Sequence, residues 1–230
     1  MKKDFFGEAF DFRTIPCVCC NKRRYLKECI VKTDSLGICR TCMNELTFSK
    51  RGSSFEGSRY VSYILAPLIY DKGARNMIKN LKFFHNTAVA KLIGKILGDF
   101  LLEYDHLTDF DMIVPVPLSG KRMNERGYNQ AELIAEYVSE YTYIPLENAA
   151  VRIKHTRRQS GLNAQKRFYN VQDAFFADDS VKDKSIILVD DVRTTGNTLN
   201  NCAKAMVEKG AAQVIGITAT MSVPRMIFNY

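Results

Sequence analysis

The sequence predicts an α/β fold, with a mostly parallel sheet covered by helices on both faces and a small metal-stapled module in front of it. Three observations lead there. In the last three-quarters of the chain, short apolar runs of strand length alternate with amphipathic stretches of helical period. Two C-x2-C pairs sit within the first 42 residues. One apolar run, Ile186 to Val189, ends in adjacent aspartates and turns through Thr-Thr-Gly into a helix.

The elements follow in chain order. Residues 1–16 read as a tail carrying Phe5, Phe6, Phe10 and Phe12, and residues 17–48 as the cysteine module. Residues 49–59, rich in Ser and Gly, read as a linker. The remainder, 60–230, is the α/β domain. Its first strand is expected over 60–71, then a helix over 73–83 with Met77, Ile78 and Leu81 on one face. In 87–104, Val89, Leu92, Ile93, Ile96, Leu97, Phe100, Leu101 and Tyr104 form the apolar stripe of a longer helix. A buried strand over 111–117 ends in prolines, and a helix over 129–141 turns Leu133, Ile134, Tyr137 and Val138 inward. The strand 184–191, the helix 197–209 ended by Gly210, and the strand 212–223 complete the pattern.

Bulk properties narrow the function. The net charge is +8 with a pI near 9.1, which favours a polyanionic partner or substrate. The excess lies upstream, because residues 171–230 carry 6 Lys/Arg against 7 Asp/Glu. No apolar run of about 18 residues is present to span a bilayer, and no leader is recognisable, so the cytoplasm is the expected compartment, with no membrane insertion. In that compartment clustered cysteines point to metal rather than disulfides.

Cys17 and Cys20 are separated from Cys39 and Cys42 by 18 residues, a spacing suited to a four-thiolate zinc site. Four protein ligands leave no open position, so the zinc is expected to be structural. Cys19 is a spare thiol that fits the site only by distorting the knuckle, and Cys29 and Cys202 read as core. Lys22, Arg23, Arg24, Lys27, Lys32 and Arg40 surround the module, either as a phosphate-tracking surface or as solvated charge.

The stretch VDDVRTTGNT raises a separate question, since two neighbouring carboxylates repel each other. Placed at the carboxyl end of a parallel strand, Asp190 and Asp191 suit the vicinal hydroxyls of a sugar. Thr194, Thr195, Gly196, Asn197 and Thr198, at a helix N-terminus, suit a monophosphate. Together they describe a ribose 5-phosphate site.

This stretch resembles the 5-phosphoribosyl-1-pyrophosphate (PRPP) loop of type I phosphoribosyltransferases. With IVPVPLSGKRMNERGYNQAELIA (113–135), RRQSGLNAQKRFYNV (157–171) and the cysteine knuckle, the chain from Cys17 to Val223 resembles the ComF family. The resemblance implies a type I phosphoribosyltransferase-like fold behind a zinc-ribbon module. It implies that Asp190 and Asp191, the catalytic candidates, hold the ribose, and that Arg193 and residues 194–198 complete the PRPP site. Ser119, Lys121 and Arg122 become the pyrophosphate loop, with Arg126 and Tyr128 close behind. Arg157, Gln159 and Arg167 belong to a flexible loop that closes over the ligand. Mg²⁺ accompanies PRPP, bound mostly through ligand oxygens and waters, and is separate from the zinc.

Three functions remain open at this point. The first is a phosphoribosyltransferase of ComF type serving natural competence and imported single-stranded DNA, with a ComFA-like helicase/ATPase as partner. The second is a non-enzymatic PRPP-sensing or DNA-binding adaptor, and the third a base-salvage transferase.

Overall fold

The computed structural model describes residues 13–49, 55–56, 59–83, 87–153 and 174–222. The N-terminal module consists of two small antiparallel ribbons. The first pairs β1 (Thr14–Pro16) with β2 (Arg23–Tyr25), and the second pairs β3 (Cys29–Lys32) with β4 (Gly37–Cys39). A short helix, α1 (Arg40–Glu45), leaves directly from β4.

Part of the expected linker is structured: β5 (Phe55–Glu56) adds antiparallel to β6 (Tyr63–Leu65). The single strand expected over 60–71 is two short ones, β6 and β7 (Leu68–Ile69), separated by Ala66 and Pro67. Proline has no N–H to give a ladder, which accounts for the break.

Two helices follow, α2 (Lys72–Phe83) and α3 (Ala88–Leu102). The next strand, β8 (Met112–Pro115), is wholly buried and leads into α4 (Gly120–Arg126) and α5 (Gln130–Thr142). An antiparallel ribbon of β9 (Ala150–Ile153) and β10 (Ala174–Ala177) precedes the strand bearing the acid pair, β11 (Ser185–Arg193). The chain then forms α6 (Asn197–Glu208) and β12 (Gln213–Met221).

The main sheet runs in the order β5-β6-β12-β11-β8, with β7 also on β12. Its β6, β7, β12, β11 and β8 pairings are all parallel, so the mostly parallel sheet expected from the sequence is present. Side chains alternate along β11 into two cores. Ile187 and Val189 join α2, α3 and α5 on one face, while Ile186 and Leu188 join α6 on the other. Because both faces are covered, the strands are near-continuously apolar. Ile38 and Leu46 of the cysteine module share the first core with Met77, Ile78 and Leu81 of α2, so the module is packed onto the domain.

Helices α3 and α5 come together at two glycines. A Cβ at Gly94 would fall inside contact with the Cβ of Tyr137, and one at Gly98 would lie 2.6 Å from Tyr141 Cδ1. Gly94→Val is therefore expected to lower stability by about 1–3 kcal/mol through overpacking, read as a lower urea midpoint at unchanged slope. An unchanged midpoint would show that the helix pair can spread without loss.

Candidate functional site

The edge that matters is the one to which the parallel strands point. At Val189 the partner strand β8 ends, its last pairing being with Pro115, while β11 runs on to Arg193 alongside β12. Asp190 and Asp191 thus stand past the tip of β8, on the carboxyl edge of the sheet, as the sequence predicts. The strand itself ends two residues later than expected.

Successive residues of a strand face opposite sides, so the acids lie on the two faces of the tip. Asp191 is buried, 4% exposed, on the side of α2. Its Oδ2 lies 2.5 Å from Lys82 Nζ. Asp190 starts from the other face, but its Oδ1 accepts the backbone N–H of Asp191 at 2.8 Å and its carboxyl group comes within hydrogen-bond reach of the Asp191 carboxyl. Although Asp190 keeps some exposed surface, protein atoms surround its carboxyl group. That burial, with the neighbouring Asp191 charge as the second cause, pushes its pKa up to about 8. The strand tip therefore holds a carboxyl group short of compensating partners, which suits hydroxyl donors arriving with a sugar.

Beyond β11 the chain bends through Thr194, Thr195 and Gly196, then enters α6. Gly196 takes φ +81°, the left-handed region where a side chain is strained, and sits at the N-cap. A Cβ there would also come within 3.3 Å of Ile64 Cδ1. Thr194, Thr195 and Asn197 are exposed, and Thr198 is half-buried. The Thr195 hydroxyl accepts from the Asn197 N–H at 3.4 Å. Gly196 at the N-cap has no side chain to cap the first turn of α6, which suits its amides to an anion. Arg193 is half-buried, and burial lowers its pKa.

The candidate pyrophosphate residues follow β8 on the same edge, on a short helix rather than a loop. Ser119 is the N-cap of α4, and Lys121 and Arg122 are exposed on its first turn, Lys121 lying 3.8 Å from Glu125. Tyr128 packs: its hydroxyl donates to the Leu81 carbonyl at the end of α2. Asn129 caps α5 through the Ala131 N–H at 3.1 Å and donates to the Val116 carbonyl at 3.1 Å, pinning the turn between β8 and α5. Arg157, Gln159 and Arg167 lie outside the described residues.

The cysteines meet as the spacing predicts. Sulfur atoms of Cys17, Cys20, Cys39 and Cys42 all lie within 4.8 Å of one another. A tetrahedral zinc with bonds of about 2.3 Å needs sulfurs about 3.8 Å apart, so the set fits a metal such as zinc. The Cys39 N–H donates to Cys17 Sγ at 3.4 Å, a backbone contact suited to a thiolate ligand. A hydrogen bond from Cys19 is the first cause holding the Cys17 thiol down at about 3, while burial pushes Cys42 up. Four thiolates packed this closely need a cation. Cys29 and Cys202 are buried core residues, as expected.

Lys82 was missed by sequence reasoning. A lysine in the last turn of an amphipathic helix reads as a solvated C-terminal charge, and nothing local shows that it meets an aspartate more than a hundred residues later. Thr218 and Thr220 of β12, fully buried within an apolar strand, were missed as well, though two polar residues in such a run are a readable signal. Thr218 lies opposite Asp190.

A parallel sheet with an acid pair at one strand tip and a glycine-hinged helix start beyond it defines the phosphoribosyltransferase domain. The family model for the phosphoribosyl transferase domain matches residues 82–225. A solved glutamine PRPP amidotransferase from B. subtilis covers 61% of the chain and 30% of its own, at 19% identity and a TM-score of 0.42. Among curated proteins, Competence protein F of Haemophilus influenzae is 30% identical over 225 residues, covering 89% of this chain and 95% of its own. The DNA utilization protein YhgH of Escherichia coli K12 is 34% identical across 60% of this chain and 63% of its own. Competence protein ComFC of Bacillus subtilis is 32% identical across 64% and 60%. The chain belongs to the ComF family, with a phosphoribosyl transferase domain as its main body. No helix among the described residues is long and apolar enough to cross a membrane.

Proposed function

We propose that the chain binds PRPP with Mg²⁺ at the carboxyl edge of its sheet and acts as a phosphoribosyltransferase in the cytoplasm, in natural competence and the handling of imported single-stranded DNA. The observation that carries this reading is the strand tip, where two carboxylates border an uncapped helix start reached through Gly196 at φ +81°. Asp190 and Asp191 accept hydrogen bonds from the ribose hydroxyls. The amides of residues 195–198 and the threonine hydroxyls take the 5-phosphate, with Arg193 beside them. Ser119, Lys121 and Arg122 stabilise the pyrophosphate as it leaves C1, and Arg157, Gln159 and Arg167 belong to the segment that covers the ligand. Mg²⁺ supplies charge neutralisation of the pyrophosphate, through ligand oxygens and water rather than a protein cage. A structural zinc on Cys17, Cys20, Cys39 and Cys42 staples the module 17–48 to the domain 60–230, and a ComFA-like helicase/ATPase is the protein partner.

The test is calorimetry with PRPP and Mg²⁺. The parent chain is expected to bind, and the Asp190→Ala, Asp191→Ala double variant is expected to show no heat of binding. Retained binding in the double variant would remove the site from the strand tip. Release of pyrophosphate on adding an acceptor separates a transferase from a sensor that binds without turnover.

A further inference from the structure

The last turn of α2 delivers a cation to the strand tip. Lys82 Nζ is 2.5 Å from Asp191 Oδ2, and the lysine side chain keeps 21% exposure while the aspartate keeps 5%. The aspartate is thus nearly sealed, while the lysine stays partly exposed.

Helix α2 is held in that position from three directions. At its start the Ala74 N–H donates to Asp71 Oδ1 at 2.9 Å. On one flank it is tied to the first cysteine knuckle. Asn76 Nδ2 donates to the Cys19 carbonyl at 2.8 Å, and Asn80 Nδ2 donates to the Val18 carbonyl at 2.7 Å and to Asn21 Oδ1 at 3.0 Å. Asn76 and Asn80 are four residues apart, so both fall on one helix face. At its end the Tyr128 hydroxyl holds the Leu81 carbonyl, one residue before Lys82. Meanwhile Met77, Ile78 and Leu81 are buried in the core shared with the cysteine module.

We propose that Lys82 is a positioning residue for the sugar site: it holds the Asp191 carboxylate at the strand tip, and the cysteine knuckle sets its place by docking α2. The proposal rests on the reading of Asp190 and Asp191 as the ribose acceptors. A buried ion pair is a poor device for stability, since a well-packed apolar pair usually does as well. It makes sense where a carboxylate must keep its charge for a ligand. The ammonium lies against one oxygen of Asp191, and a carboxylate has more lone pairs than one such contact uses, which it can offer to hydroxyl donors. The lysine can therefore stay in place while the sugar binds. The metal module, remote in sequence, thereby acquires a physical link to the site through α2.

Three variants test this by calorimetry with PRPP and Mg²⁺, with metal content and thermal unfolding checked for each. Lys82→Met is expected to weaken PRPP binding by on the order of tenfold or more, the scale of one charge-assisted contact. Lys82→Arg keeps the charge within reach of Asp191 and is expected to restore affinity to within about threefold of the parent. Rescue by arginine would not follow if residue 82 served only to fill space. Asn80→Ala cuts two hydrogen bonds to the knuckle without touching the strand tip, and is expected to weaken binding severalfold with metal content unchanged. Parental affinity in Lys82→Met overturns the role of Lys82, and parental affinity in Asn80→Ala overturns the link to the knuckle. Either result, with binding still lost in the Asp190→Ala, Asp191→Ala variant, leaves the site assignment standing. Binding retained in that double variant would instead sink the site reading itself.

Discussion

Replacing Cys39 and Cys42 together by serine is expected to strip the metal and unfold the N-terminal module. The four sulfurs lie within 4.8 Å of one another, and the strands around them are only three or four residues long. So small a unit buries too little surface to fold alone, and a structural zinc contributes on the order of 10 kcal/mol to such modules. The damage should spread, because Leu36, Ile38 and Leu46 share one core with Ala74, Met77, Ile78 and Leu81 of α2. The check is metal content by elemental analysis alongside far-ultraviolet circular dichroism. One zinc per parent chain, and none in a variant with a lower and broader melt, is the expected pair of results. A parent protein that is folded and metal-free would contradict it.

Replacing Asp190 by asparagine is expected to move stability and binding in opposite directions. Burial, then the charge of Asp191, raises the Asp190 pKa from 3.8 to about 8. Between those values the folded chain holds a proton that the unfolded chain has released. Stability should accordingly be highest below about pH 4 as far as this group is concerned, fall as pH rises, and level off above about pH 8. Asp190→Asn removes the titrating group, so its melting temperature should depend less on pH across that window and exceed the parent's near pH 8. The same change replaces a carboxyl group that the ribose hydroxyls use by an amide, so PRPP affinity should drop at least about tenfold. Melting curves from pH 4 to pH 9, read beside calorimetry, test both halves. A parent and variant with parallel pH profiles would show that Asp190 is not held against its charge. A stabilised variant that still binds PRPP would place the sugar elsewhere.

Much of this arrangement was legible in the linear chain. The strands at 111–117, 184–191 and 212–223 are there as β8, β11 and β12, because a sheet covered on both faces demands unbroken apolar runs. The helix over 73–83 is α2, and the stripe over 87–104 is α3, with Val89, Leu92, Ile93, Leu97 and Leu101 buried. The cysteine quartet followed from spacing alone. The β9–β10 ribbon and α4 were not expected. Alternation in Ala150–Ile153 is brief, and a seven-residue helix that starts at Gly120 and stops at Gly127 carries too little period to register. Lys121 and Arg122 consequently sit on a helical turn where a loop was expected.

What the sequence determined by itself was the set of local devices: the two cysteine turns, the apolar strands, the acid pair and the glycine that lets the chain bend into α6. Each is written in neighbouring residues, so spacing and period suffice to read it. What only the tertiary structure decided was which of them meet. Asp190 and Asp191 face opposite sides of their strand because of pleating, and Lys82 reaches Asp191 because α2 is clamped by Asn76 and Asn80 to the cysteine knuckle. Contacts between residues so far apart depend on packing and register, which no window of the chain contains.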